Sequence, residues 1–426
     1  MADGNTARSE IRRRQLAQLQ KLIAAARASN AFYGPILRTA GIDEHIESLE
    51  EFSARMPLTE KTALAEDQRR TPPFGTNLTF PPAAYTRHHQ TSATSGPPIR
   101  WLDTPESWQA MLDDWKQVYA GAGVTADDRL FFAFSYGPYL GFWMAFDAAV
   151  QLGALAIPGG GQSSLARLET LRDTRATVLL GTPTYIGRLA EVAEQAGIDL
   201  GQLCVRAIIV AGEPGGSIPA VRESIERRWP GAKLFDHHGM TEVGPVTWQC
   251  PESPGTLLVF ESSQYAEILD RSTGRPVPPG EVGELVLTAL RRTGSPVFRY
   301  RTGDLVREDT TIGPRFGRWE MALAGGILGR ADDMVFVRGV NVYPAAVEEV
   351  LRAIPQIGEY RVELQAQGAL TEMLLRIEVA SGEADALVEH LQNRLRTRLA
   401  LRVPIVVCPP GTLPRFEMKA RRWVRV

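Results

Sequence analysis

LFFAFSYGPYLGFWMAFDAAVQLGALAIPGGG, residues 130–161, opens with the apolar run Leu130–Phe134, passes through a helix-forming stretch at Ala145–Leu152, and returns to a second short apolar run at Ala154–Pro158. The same cadence continues downstream through Leu165–Arg172, Thr177–Leu180, Tyr185–Ala196, Val205–Val210 and Ile218–Arg228. Strand, helix, strand at this spacing predicts a mostly parallel sheet covered by helices, with ligands at the carboxyl ends of the strands. Gly159, Gly160 and Gly161 follow a strand end but lack the full GxGxxG spacing, so they read as a strand-to-helix turn rather than a dinucleotide loop.

Upstream, Glu10–Ser29 carries Leu16, Leu19, Leu22, Ile23 and Ala26 at helical spacing, which predicts an amphipathic helix packed on the outside of the large domain. Beyond Pro245 the texture turns to alternating, turn-rich segments (Tyr265–Leu269, Gly283–Thr288, Ser295–Tyr300), the mark of an antiparallel subdomain. A further break near Gly329 leaves about a hundred residues with their own strands and helices, a common domain size. The expected architecture is therefore α/β. A large N-terminal domain, 1–329, has mixed, mainly parallel sheets covered by helices plus a small antiparallel subdomain, and 330–426 forms a small α+β C-terminal domain.

Composition narrows the function. The 426 residues are 44% hydrophobic and 23% charged with a formal net charge of −2, which offers no field to gather nucleic acid or anionic lipid. Neither a signal-like apolar region near Met1–Ile11 nor a spanning apolar run is evident, so the chain reads as cytoplasmic with no membrane partner. Its three cysteines, Cys204, Cys250 and Cys408, are too scattered for a CxxC site or a disulfide framework.

Four polar segments stand out. YRTGDL, Tyr300–Leu305, places a carboxylate on what reads as a tight Gly turn after a strand, where two acceptor oxygens suit two ribose hydroxyls. Taken alone it also suits an ordinary strand-end turn. GRADDMVFVRGVNVYP spans Gly329–Pro344, DHHGMTEVGP spans Asp236–Pro245, and LPRFEMK spans Leu413–Lys419 within a basic tail. The adjacent histidines of the third segment lack further partners at zinc spacing.

In order and spacing these four segments resemble the adenylate-forming superfamily, and within it the phenylacetate-CoA ligase-like branch, over nearly the whole chain. The resemblance implies that Asp304 binds the ribose, that Arg330 contacts ribose or phosphate, and that Asp332 is the hinge of a C-terminal lid. It places Thr241 on the α-phosphate, Glu242 on Mg²⁺ and Lys419 at the substrate carboxylate as catalytic lysine, with Gly339 passing a thiol arm. Ala211, Gly212, Glu213 and Pro214 resemble the adenine-binding turn, where backbone groups read the base. Tyr136, Gly137, Phe142, Ala211, His237 and Gly239 would line the acyl pocket, beside His238.

Two departures from the family pattern are visible. The phosphate loop reads Thr91, Ser92, Ala93, Thr94, Ser95, Gly96, Pro97, Pro98; its hydroxyls persist, but Ala93 stands where the first glycine is usual and Pro97 where a lysine is, removing a point charge from the pyrophosphate. No cysteine pair follows Asp304 to join Cys250, so no zinc is expected. The implied activity is ATP- and Mg²⁺-dependent conversion of an aromatic acid to its aryl-adenylate, followed by transfer to CoA. A carrier-protein thiol, or an amine or hydroxyl in secondary metabolism, is the alternative acceptor. A degenerate carboxylate- or nucleotide-binding module without turnover is the alternative of another class. No feature marks a dimer interface.

Overall fold

The computed structural model describes residues 4–91, 98–338, 340–367, 370–379, 384–416 and 420–426. The chain divides into two compact units: Met1–Leu130 with Ser135–Gly160 and His237–Gly326, and Phe131–Phe134 with Gly161–Asp236 and Ile327–Val426. The C-terminal residues from Ile327 group with Phe131–Phe134 and Gly161–Asp236 in the second unit.

In the first unit the helix Gly4–Ser29 buries Leu19, Leu22, Ile23 and Ala26 at 0–1% exposure against Tyr33, Leu37, Phe52 and Phe298. Each of the three larger side chains contributes about 1.5–3 kcal/mol by leaving water. The N-terminal helix thus buries one face in this core and leaves Arg13 and Arg14 exposed, as its amphipathic spacing predicts. A second helix, Pro105–Gly121, starts on the Thr104 hydroxyl, which accepts the Ser107 N–H, and buries Trp108, Met111, Trp115 and Tyr119. The hairpin Arg87–Gln90 and Arg100–Asp103 pairs antiparallel, and Thr91 and Ile99 close its loop end with hydrogen bonds in both directions.

The antiparallel region expected after Pro245 comprises Gln264–Leu269, Val282–Ala289 and Tyr300–Arg307 in one sheet, with Thr247–Gln249, Thr256–Val259 and Ala322–Ala324 in another. YRTGDL is not a turn following a strand but the first part of the strand Tyr300–Arg307 itself. Its pairing slips between Glu284 and Val286, and Gly303 takes φ of 76°, a bulge that only glycine accommodates without strain. On this strand Tyr300, Thr302, Asp304 and Val306 are buried while the intervening residues are more open, so the hydroxyl of Tyr300 and the carboxylate of Asp304 share one face.

The second unit holds the parallel strands Val178–Gly181, Ala207–Val210 and Lys233–Asp236, and Ala133 N–H donates to the Leu180 carbonyl on the other side. The first two strands are buried on both faces, which is why they read as unbroken apolar runs. Helices Ser164–Asp173 and Pro183–Gln195 begin on the capping hydroxyls of Ser163 and Thr182. The C-terminal part pairs Ile357–Gln367 antiparallel with Leu370–Val379 and adds Ile405–Cys408 and Trp423–Arg425 as parallel flanks. Val347, Leu351, Val362, Ile377, Leu391 and Leu395 form its core under the helices Pro344–Arg352 and Ala384–Leu399. Among the described residues no helix is long and apolar enough to cross a membrane.

Asp114 is the unusual acid of the helix Pro105–Gly121. Burial raises its pKa to about 7, against the Ser263 hydroxyl that donates to it at 2.9 Å. A carboxyl raised above its unfolded value favours folding fully below that value, and the contribution is lost as pH climbs toward 7. Asp114→Asn, neutral throughout, is expected to match the unaltered protein near pH 4 and to exceed its stability at pH 8 by about 1–4 kcal/mol, measured by urea unfolding at both pH values.

Candidate active site

The segment after the strand Lys233–Asp236 supplies the first polar cluster, and three distant parts of the first unit hold it. Arg292, buried to 2%, grips Asp103 with two bonds of 2.7 Å and donates a third, of 2.6 Å, to the Thr241 carbonyl. Burial opposes the charge on Asp103, but the Arg292 guanidinium and His89 hold its carboxyl below the usual range. His89 lies 3.7 Å from Asp103 and stacks on Trp108 at 5.1 Å. Thr241 is half-buried, its position fixed through its own backbone.

Glu242 is 4% exposed and accepts the Tyr300 hydroxyl at 3.2 Å. The Lys61 ammonium stands 3.5 Å from the same oxygen. Lys61 opens the helix Lys61–Arg70, and the preceding Thr59 is pinned by main-chain bonds to Arg299 and Arg301 on either side of Tyr300. On the same strand face Asp304, 2% exposed, has Oδ2 at 3.0 Å from His238 Nε2. The two buried carboxylates thus each have a partner from another segment: Tyr300 and Lys61 for Glu242, His238 for Asp304.

His237 packs on Trp115 at 4.5 Å and places Nδ1 2.5 Å from the Thr247 carbonyl. Burial first, and His238 second, push its pKa down to about 4. The ring is therefore neutral near pH 7, donates from Nδ1, and presents Nε2 as an acceptor. A Cβ on Gly239 would meet the Gly244 carbonyl at 3.1 Å and His237 Nε2 at 3.4 Å, which keeps this position small. The helix Leu140–Leu152, carrying Phe142, packs on the hairpin of Gly239–Met240 and Gly244–Pro245. Next to it Tyr136 lies 4.8 Å from Trp143 and 5.7 Å from Phe146, and Trp143 donates to the Gly137 carbonyl at 2.8 Å. Tyr136, Gly137, Phe142, His237 and Gly239 thus belong to one unit, and Ala211 belongs to the other.

In the second unit Ala211–Pro214 follow the strand Ala207–Val210, with Gly212 at φ of 93°. Glu213 is bound through its side chain as well as lying on a turn: one oxygen accepts Thr184 N–H at 2.8 Å and the other Ala420 N–H at 3.0 Å. Arg330 and Asp332 pair with each other through two bonds of 2.9 and 3.0 Å on the surface, a partnership the sequence roles of ribose contact and hinge did not anticipate. Ser92, Thr94, Ser95 and Gly96, together with Ala93, Pro97, Gly339 and Lys419, lie outside the described residues.

As to metals, the Cys250 thiol donates to Glu252 at 3.4 Å, and Arg318 pairs with Glu252 while lying over Trp248. No group of three or more His, Cys, Asp or Glu able to hold an ion is present among the described residues. A single buried carboxylate such as Glu242 still fits Mg²⁺, which keeps several waters and takes its remaining ligands from phosphate. Lys61 and Arg292 stand in no motif of the sequence, whereas Tyr300 opens YRTGDL and its alternation with Asp304 on one strand is the signal for its place beside Glu242.

The Asp103–Arg292 pair is open to a direct check. Arg292→Ala leaves Asp103 buried without its cation and is expected to cost about 3–5 kcal/mol in urea unfolding. Adding Asp103→Ala should recover part of that loss, so that the double variant is more stable than the sum of the two singles predicts.

The sequence of the AMP-binding enzyme family matches residues 91–289, and that of the AMP-binding enzyme C-terminal domain matches 339–425. The chain is 31% identical to the phenylacetate-coenzyme A ligase of Thermus thermophilus, covering 96% of this chain and 95% of that protein. It is 32% identical to the phenylacetate-coenzyme A ligase of Pseudomonas putida over 86% of this chain and 83% of that one. Among solved structures, 2-hydroxyisobutyryl-CoA ligase in its postadenylation state with 2-HIB-AMP superposes with a TM-score of 0.90 at 30% identity, covering 97% of this chain and 89% of that one. The same ligase with CoA in the thioesterification state gives 0.73 at 31% identity, over 98% and 90% of the two chains. By sequence and by structure, the chain belongs to the AMP-binding, adenylate-forming enzyme family, in its phenylacetate-CoA ligase-like branch, and is an acid ligase.

Proposed function

We propose that this ligase activates an aromatic carboxylic acid with ATP and passes the acyl group to CoA. The acid's carboxylate attacks the α-phosphorus, pyrophosphate leaves, and the resulting acyl-AMP is then attacked by the CoA thiol with release of AMP. The observation that carries the reading is the pairing of Glu242 with Tyr300 and Lys61 next to Thr241, with Asp304 on the same strand face. That arrangement offers a hydroxyl for the α-phosphate, a hard oxygen for Mg²⁺ and a carboxylate for the ribose. When bound, Mg²⁺ would neutralise phosphate charge as pyrophosphate departs.

The remaining roles follow the family pattern. The backbone of Gly212, Glu213 and Pro214 borders the adenine, Arg330 reaches the nucleotide on release from Asp332, and Ser92, Thr94, Ser95 and Gly96 cradle the phosphates. Residues 330–426 act as a lid that turns about Asp332, with Lys419 meeting the charge that builds in the transition state. For the ring, the packed Tyr136, Trp143 and Phe146, with Phe142 of the same helix and a neutral His237, would supply the contact area. A second reading, a small branched hydroxy acid in place of an aromatic one, is supported by the 30% identity to 2-hydroxyisobutyryl-CoA ligase.

Acid-dependent exchange of labelled pyrophosphate into ATP, run with phenylacetate, benzoate, salicylate, anthranilate and 2-hydroxyisobutyrate, tests the proposal. Fastest exchange with one of the aryl acids is expected; exchange with 2-hydroxyisobutyrate alone would select the second reading, and none with any acid would contradict both. Lys419→Ala should slow exchange by roughly 100-fold or more while ATP affinity changes only a few-fold, because its charge matters most in the transition state.

A further inference from the structure

We propose that Glu213 is a positioning residue that latches the C-terminal tail at Ala420 for the acid-activating step, by bridging it to the start of the helix Pro183–Gln195. The inference rests on the acid-activating reading above.

The first arm of the bridge is local. Pro183 opens the helix and Thr182 caps it through Tyr185 N–H, which leaves Thr184 N–H among the orphan donors of the first turn. Glu213 Oε1 accepts that donor at 2.8 Å. A helix-capping role requires nothing more of this side chain.

The second arm is the informative one. Oε2 accepts Ala420 N–H at 3.0 Å, a partner 207 residues away and next in sequence to Lys419. The tail meets the same helix on both sides of 417–419. After it, Arg422 donates to the Thr184 hydroxyl at 3.3 Å while its other nitrogens hold Glu359 at 2.6 and 3.1 Å. Before it, Arg415 stands 3.4 Å from Glu191 on that helix and is bound to Glu378 at 2.6 Å. Arg415 and Arg422 therefore each keep an anchor within the C-terminal fold and offer a second hand to the helix.

All three attachments are hydrogen bonds or ion pairs, groups that water can resolvate on separation, so the tail can leave without exposing an apolar surface at these points. Glu213 holds a backbone N–H and thereby fixes the main chain at Ala420 rather than a flexible side-chain tip. On a turn of the lid Glu213 keeps Thr184 and loses Ala420. Its loss should thus penalise the arrangement used for adenylation and spare the one used for thioester formation.

The test separates the two half-reactions in the full-length enzyme, using whichever acid of the panel exchanges fastest. Glu213→Ala is expected to slow pyrophosphate exchange by about 10- to 100-fold, the effect of losing a charge-assisted hydrogen bond. CoA-dependent consumption of the supplied acyl-AMP should fall at least tenfold less than exchange does. Glu213→Gln, which keeps one acceptor oxygen and the side-chain shape, should fall between the two. In parallel, hydrogen exchange of peptides covering 415–424 should quicken in both variants. Equal losses in the two half-reactions, or unchanged protection of those peptides, would overturn the latch. An unaltered enzyme that exchanges no pyrophosphate would instead strike at the acid-activating reading.

Discussion

A buried guanidinium with three acceptors to serve fixes the geometry of the first unit's polar cluster. Arg292 must satisfy Asp103, at the open end of the hairpin opposite Arg87, and also the carbonyl of Thr241. Each partner comes from a different stretch of chain, and 189 residues separate Arg292 from Asp103. A buried pair of this kind adds little net stability over apolar packing, yet breaking one side of it is costly. Its value lies in constraint: the peptide at 241–242 has one place to be, and Glu242 meets Tyr300 and Lys61 there.

How much of this is legible in the sequence depends on whether the partners are near in chain or only in space. Val178–Gly181 and Ala207–Val210 read correctly as strands because sheets buried on both faces leave continuous apolar runs. Tyr300–Leu305 misleads because glycine and aspartate are turn formers, and the bulge at Gly303 borrows that chemistry inside a strand. The helix Pro105–Gly121 lies outside the segments whose pattern marks an element, although it supplies Trp115 against His237 and Trp108 against His89. Lys61 and Arg292 could not be assigned at all, since an isolated Lys or Arg in sequence carries no sign of which carboxylate it will meet.

The motif residues were legible as a set, but their partners were not. Arg330 beside Asp332 reads as two separate roles, and the structure joins them in one ion pair. Glu213 reads as part of a backbone turn, and the structure gives its carboxylate two main-chain donors, one of them in the tail. In both cases side chains of the nucleotide motifs are engaged by protein. Half-buried polar groups without partners are costly, and the Glu213 carboxylate meets that cost with two main-chain donors.

The central claim is that the acid's own oxygen attacks the α-phosphorus of ATP. Turnover of the acid labelled with ¹⁸O in its carboxylate, in the presence of CoA, tests this most directly by mass spectrometry of the nucleotide product. Transfer of one labelled oxygen to AMP is the result predicted. Label appearing in inorganic phosphate with ADP as the product, or unlabelled AMP alongside acyl-CoA, would contradict it.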